Sequence, residues 1–262
     1  MEIIKTIDKE PTEKVSDILY IACNIGKLML QNGGETYRAE ETIVRTCGHY
    51  NVKASSFATL NTIITSTDLF ENKMEDSRYT VVDRINFRTI NLDKVAKLND
   101  IARNLDGFTV KELKEEIKII MSEAKISHRN KVLGHVLAGG SFAILFKGTM
   151  RDSIVAVISM LILSFFDKYL KEKQLNSFFN NLVGAMLVTI ISLIFVEAGF
   201  IKNPSVSIIA ALMLLAPGIS FTNSIRDIIS GDFISGVSRA VEALTIGVAL
   251  AAGSGVVLSI WI

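Results

Sequence analysis

The sequence predicts a membrane α-helical bundle of about five transmembrane helices, preceded by a small soluble α+β domain. Charge is the first observation. Residues 1–131 hold 20 Lys/Arg and 20 Asp/Glu, whereas residues 132–262 hold 8 and 7. Glycine is the second, with 12 of the 17 in that later part. The third is a set of five apolar segments, at about 131–147, 153–169, 177–197, 204–222 and 237–262. A balanced, charged half followed by an apolar, Gly-rich half is the composition of a soluble domain joined to a membrane domain. The expected boundaries are a polar N-terminal lead at 1–14, a cytoplasmic α+β domain at 15–128, and a five-helix transmembrane domain at 129–262 whose fourth helix is broken by Pro217-Gly218.

Composition excludes several classes. The net charge is +1 and no basic run stands out, so nucleic acid is not an expected partner. The N-terminus MEIIKTIDKEPTEK lacks an apolar stretch after a basic start and is not a secretory signal. Cys23 and Cys47 have no CxxC spacing and read as small buried residues in a reducing compartment. No metal-ligand spacing involves His49 or His128, and no nucleophile–base pattern is present. The chain is expected to be no enzyme and to need no metal or cofactor.

In the soluble half, Val15, Ile18, Leu19, Ala22, Ile25, Leu28 and Met29 fall at helical spacing. Asn32-Gly33-Gly34 ends that helix, and a second runs from about Glu35 to His49. The β-branched runs Val52–Phe57, Leu60–Ser66 and Arg78–Phe87 predict three antiparallel strands, with the charged stretch 68–77 as a loop before the third. Helical period returns over Asn91–Leu105 and Val110–Ala124, with Thr109 as N-cap. Glu35, Arg38 and Glu41 gather beside the Gly-Gly turn. They are candidates for a soluble-domain site, or a solvated helix face laced by ion pairs at i,i+3 and i,i+4.

In the membrane half, Val132–Phe146 and Ser153–Phe166 are shorter than the ~20 residues of a full span. Lys131, Lys147 and Lys168 could snorkel to lengthen them, and a hairpin entering and leaving on one side is the alternative. With the soluble domain inside, the cytoplasmic flanks carry Arg129, Lys131, Lys168, Lys171, Lys173, Arg226 and Arg239. The outer flanks carry Lys147, Arg151 and Lys202, so positive charge favours that orientation, with Trp261 and the C-terminus outside. In the last segment Ala243, Gly247, Ala251 and Gly255 repeat by fours. This is the pattern of close helix contact, within the chain or with another copy in a homo-oligomer.

The fourth segment is the most informative. Proline removes a backbone donor and clashes one turn back. In lipid, freed backbone groups persist only where protein or a water-filled cavity satisfies them. Pro217-Gly218 followed by Asn223, Arg226, Asp227 and Asp232 is therefore either a broken helix building a polar site, or a plain helix end with an interfacial loop. Arg239 and Glu242 are three apart and either pair with each other or serve a solute carboxylate and a proton.

Three stretches resemble the threonine/serine exporter family, in particular the larger subunit of its two-component form. They are LMLQNGGETYRAEETIVRTC (28–47), DRINFRTINLDKVAKLND (83–100) and LLAPGISFTNSIRDIISGDFISGVSRAVEAL (214–244). The resemblance covers about Val15 to Ile262. It implies an inner-membrane exporter of small hydroxy-amino acids, or of a dicarboxylate such as succinate, with a cytoplasmic N-terminal domain and gradient drive. Single-chain members carry a second membrane block. The resemblance therefore implies a small companion membrane subunit, alongside the lipid bilayer and a small carboxylate substrate, as partners. On this reading Pro217, Gly218, Asn223 and Arg239 bind substrate, and Asp227 and Glu242 couple protons. The competing classes are a membrane-anchored sensor acting through its soluble domain, and an enzyme using Glu35, Arg38 and Glu41.

Overall fold

A computed structural model of the chain describes residues 14–67, 79–123, 127–172 and 176–261. Most of the polar lead, the charged stretch 68–77 and Lys173 lie outside the described residues, as do the side chains of His128, Lys168 and Lys171. The chain forms two compact units. One comprises Met1–Ala124 with Thr222–Ala240, the other Lys125–Phe221 with Val241–Ile262. Residues 222–240 therefore group with the N-terminal fold, which differs from the boundary expected at 128/129.

The first unit contains α1 (Val15–Gln31), α2 (Thr36–His49), β1 (Ala54–Ala58), β2 (Thr62–Thr67), β3 (Thr80–Arg84), α3 (Leu92–Arg103) and α4 (Val110–Ser122). Ile18, Leu19, Ile25 and Met29 of α1 are buried with Ile43 of α2, Ile63 of β2, Leu98 of α3 and Leu113 of α4. The strands form one antiparallel sheet in the order β1-β2-β3, with Ser56 opposite Thr65 and Ile64 opposite Val82. The outer strands are shorter than the β-branched runs suggest. Asn51 takes φ +60° to close α2, and Val52 N–H donates to the Cys47 carbonyl, so β1 starts only at Ala54. Past Ile85 the chain leaves the sheet for the end of α1. There Thr89 N–H donates to the Gln31 carbonyl at 2.7 Å and Asn91 N–H to that of Asn32 at 2.9 Å. Asn91 then caps α3, and Thr109 caps α4 in a reciprocal box with Glu112.

The second unit contains α5 (His128–Leu145), α6 (Met150–Glu172), α7 (Ser177–Glu197) and α8 (Ser205–Leu215). It also takes the first turn of α9 (Gly218–Ile229) and the later part of α10 (Phe233–Trp261). Ser153 Oγ donates to the Gly140 carbonyl at 2.9 Å, joining α6 to α5. Ser164 gives its proton to the Met160 carbonyl, so His135 Nδ1, 2.9 Å away, is the donor to Ser164 Oγ.

Among the described residues, α7 and α10 are long and apolar enough to cross a membrane. The pair α8 and α9, bent by 54°, makes a third if it is one span. The other two segments expected to cross form continuous helices, but polar ends dilute them. Arg129, Lys131 and His135 lie in α5; Arg151, Asp152, Asp167, Lys168, Lys171 and Glu172 lie in α6.

Within the chain, the small-residue register of α10 is not the one that makes the close contact. Ala243 is buried, whereas Gly247, Ala251 and Gly255 are exposed. The close approach lies on a neighbouring stripe, where a Cβ at Gly253 would overlap the Leu182 carbonyl oxygen of α7. The two faces give a direct test by thermal unfolding of the protein in detergent. Gly253→Ala is expected to lower the melting temperature. Gly247→Ala, with open space around its Cβ, is expected to leave it unchanged or raise it, because alanine is up to ~1 kcal/mol better than glycine inside a helix.

Candidate functional site

The polar side chains after the Pro217-Gly218 break converge on the turn between α1 and α2. That turn is closed by Gly33 at φ +92°, a backbone conformation that suits glycine. It leaves the carbonyls of Gly33 and Gly34 and the first N–H groups of α2 in need of partners. Glu35, the N-cap residue of α2, makes no side-chain capping bond. Asp227 of α9 supplies the missing acceptor. Thr36 N–H donates to its Oδ1 at 3.0 Å and Thr36 Oγ1 to its Oδ2 at 3.3 Å. A carboxylate is the natural group here, because a helix N-terminus concentrates unpaired donors and partial positive charge.

Arg239 of α10 completes the arrangement. Its Nε donates to Asp227 Oδ2 at 2.9 Å, and its Nη2 donates to the Gly34 carbonyl at 2.7 Å. Both side chains are almost wholly buried, at 6 and 0 % exposure. Asn223, one turn before Asp227, donates its amide to the Gly33 carbonyl at 3.0 Å. One helical hairpin thus presents an amide, a carboxylate and a guanidinium to a single glycine turn. All three are satisfied by protein groups.

Around this buried set lies a rim of ion pairs. Arg226 Nη1 donates to Glu35 Oε1 at 2.6 Å, and Arg38 stands 3.6 Å from Glu35 Oε2. Burial works to raise the Glu35 pKa. Its own backbone amide, the Arg226 hydrogen bond and the two guanidinium charges outweigh that and hold it below the usual carboxylate range. Glu40, one turn into α2, accepts from Ala58 N–H at 2.5 Å, while Ser235 Oγ reaches the Ala58 carbonyl at 3.5 Å. Burial, with added repulsion from Asp232 and Asp227, pushes Glu40 up to about 7 despite that hydrogen bond. Asp232, in the turn between α9 and α10, is likewise raised, first by burial and then by Asp227. Its Oδ2 is buried with no hydrogen-bond partner among the described residues.

The expected site residues therefore divide. Asn223, Asp227, Arg239, Glu35 and Arg38 come together. Glu41 does not: it is half-exposed and paired with Arg45 at 2.5 Å on the outer face of α2. Glu242 falls in the second unit, half-buried on α10. Pro217 and Gly218 sit at the bend between α8 and α9. Pro217 has no N–H for the Met213 carbonyl, and Gly218 N–H turns back to the Ala216 carbonyl at 2.9 Å instead of reaching Leu214. Two helix carbonyls thus lose their ladder partners. Thr36 and the two glycine carbonyls were not foreseen. The only local signal, a threonine opening α2, points to ordinary capping. Among the described residues no group of three or more His, Cys, Asp or Glu is placed to hold a metal. Both cysteines are buried and free, with burial pushing Cys47 up to about 12, so neither is a reactive thiol.

A family model described as "Putative threonine/serine exporter" matches residues 20–261. A protein of Corynebacterium glutamicum named "Threonine/serine exporter" is 27% identical over 266 residues. The alignment covers 97% of this chain and 53% of that relative, so the chain spans about half the relative's length. No solved structure matches the chain.

The Glu40 environment carries a pH signature. A carboxyl whose native pKa exceeds its unfolded value favours the native state when protonated. That contribution is full below the ordinary value of 4.5 and is lost as pH rises through about 7. Relative to Glu40→Gln, the wild type is therefore expected to lose melting temperature between pH 5 and 8. A constant difference between the two across that range would contradict the arrangement.

Proposed function

The chain belongs to the threonine/serine exporter family, and from that premise we propose that it is one subunit of an inner-membrane exporter of small carboxylate solutes. The substrates are threonine and serine, or a dicarboxylate such as succinate, and an ion gradient drives export. The observation that carries the solute class is the break at Pro217-Gly218. A zwitterionic amino acid presents one carboxylate and one ammonium. The start of α9 offers the positive end of a helix dipole, and the unladdered Met213 and Leu214 carbonyls offer acceptors for a cation. Discontinuous helices in secondary transporters place both kinds of group near the midplane, and this chemistry favours an amino acid over a dicarboxylate.

Asn223, Asp227 and Arg239 enter this reading as a latch whose opening would release a guanidinium and an amide for a solute carboxylate. Asp227, once protonated, would lose its hold on Arg239 and Thr36. Glu242, three residues beyond Arg239, is the second proton-coupling group. In this topology the first unit is cytoplasmic, five helices cross the bilayer, and Trp261 lies at the outer interface. The stripe of Gly247, Ala251 and Gly255, open along α10, supports a closely packed helix from a small companion membrane subunit or a second copy of this chain.

Export from cells loaded with threonine, serine or succinate tests the proposal. Deleting the gene is expected to abolish efflux of one of these solutes. Pro217→Ala, which restores the Met213 ladder bond, is expected to lower that efflux by at least about tenfold, or about 1.4 kcal/mol of barrier. Unchanged efflux of all three solutes in the deletion strain, with the companion subunit present, would remove these substrates.

A further inference from the structure

The hairpin formed by α9 and the start of α10 is built inside out. Its polar side chains Asn223, Asp227 and Arg239 face the first unit and are buried, whereas its outer face is apolar and open. Ile229 is 79% exposed and Phe233 62%, and Ile225, Ile234 and Val237 are exposed with them. A second apolar group flanks the same glycine turn. The connection from β3 to α3 is pinned to the end of α1, and its Thr89 and Ile90 backbone packs against Gly33, whose carbonyl accepts from Asn223. On that connection Phe87 (68%), Ile90 and Leu92 stand exposed, with Arg84 exposed nearby. Two exposed apolar groups flanking one turn are more than the scattered single residues of an ordinary surface.

Chain continuity identifies what covers it. Phe233 opens a helix that runs unbroken to Trp261 and is apolar enough to cross a membrane. Its 29 residues measure about 44 Å at 1.5 Å per residue, against a hydrocarbon core of ~30 Å. With Trp261 at one interface, roughly the first nine residues extend past the core into the opposite headgroup region. Those residues are the ones that belong to the first unit. An amphipathic helix with its apolar face toward the acyl boundary and its polar face away from it is the form of an interfacial segment. Exposed Arg84 and the partly exposed Arg226 suit the anionic cytoplasmic leaflet.

We propose that the outer face of the α9–α10 hairpin and the Phe87–Leu92 connection form a lipid-binding edge that seats the first unit on the bilayer surface. The inference rests on the membrane reading of the chain but not on its transport activity. Trp261 is the single tryptophan, so Trp261→Phe gives a silent background for Ile229→Trp and Phe87→Trp, placed one at a time in the full chain. Val248→Trp marks the apolar run of α10. Lys111→Trp marks the far end of the unit, beside the C-terminal end of α2, where Tyr50 bonds the Phe108 carbonyl. α2 separates that end from Thr36 by about 20 Å.

The proteins are placed in phosphatidylcholine–phosphatidylglycerol vesicles with brominated acyl chains, and iodide quenching is read in parallel. Tryptophans at 229, 87 and 248 are expected to lose emission to bromolipid and to resist iodide, with 111 behaving in reverse. Iodide access at 229 and 87, with 248 still quenched by lipid, would overturn the edge and leave the membrane reading standing. Shielding of 229 and 87 from both quenchers would mean that protein covers the edge, which also overturns it. Iodide access at position 248, with no quenching there by bromolipid, would remove the membrane reading and this inference together.

Discussion

A single buried carboxylate organises the junction of the two sequence halves. Asp227 accepts from the first amide of α2, from the Thr36 hydroxyl and from Arg239. Removing a carboxylate and a guanidinium from water costs several kcal/mol per ion, and their attraction offsets this only when geometry and further hydrogen bonds are good. Here both conditions hold. Three donors reach Asp227, and Arg239 spends a second nitrogen on the Gly34 carbonyl. Removing one partner would strand the other as a buried charge, at about 3–5 kcal/mol. The pair is thus a strong constraint on where residues 222–240 sit. It accounts for that stretch joining the N-terminal fold although it lies between two apolar segments of the sequence.

The same constraint inverts the polarity of the hairpin. Once Asn223, Asp227 and Arg239 are turned toward the glycine turn, helical period sends Ile225, Ile229 and Val237 outward. In a water-soluble protein this would expose apolar surface. The lipid-binding edge proposed above gives that outward face an apolar surrounding. Two carboxylates beside Asp227, Glu40 and Asp232, are both raised by burial and by the neighbouring negative charge.

Legibility in the sequence followed the range of each interaction. The Thr109–Glu112 capping box spans three residues, and the break at Pro217-Gly218 is written in two, so both were readable. The three strands were readable from β-branched runs. Their ends were not: beyond Ile85 the chain is drawn off the sheet by the carbonyls of Gln31 and Asn32, and β1 is delayed by the turn at Asn51. The site was half readable. Asn223, Asp227 and Arg239 stand out as polar groups among apolar residues, but their partner is a turn some 190 positions earlier in the chain. No local spacing announces a helix capped from 191 residues away. Conversely, Glu41 and Arg38 look like a cluster in sequence, yet Glu41 points to solvent with Arg45. Within the chain the close approach of α10 to α7 falls at Gly253, a position outside the Ala243–Gly247–Ala251–Gly255 register.

The most direct measurement of the Asp227 latch is hydrogen exchange at the Thr36 amide in the full-length protein. The first amides of a helix have no intrahelical acceptor and ordinarily exchange freely. In this fold the Thr36 N–H is buried and bonded to Asp227 Oδ1 at 3.0 Å, so it should be protected in the wild type and lose that protection in Asp227→Ala while α1 amides stay slow. Free exchange at Thr36 in the wild type, or protection that survives Asp227→Ala, would contradict it.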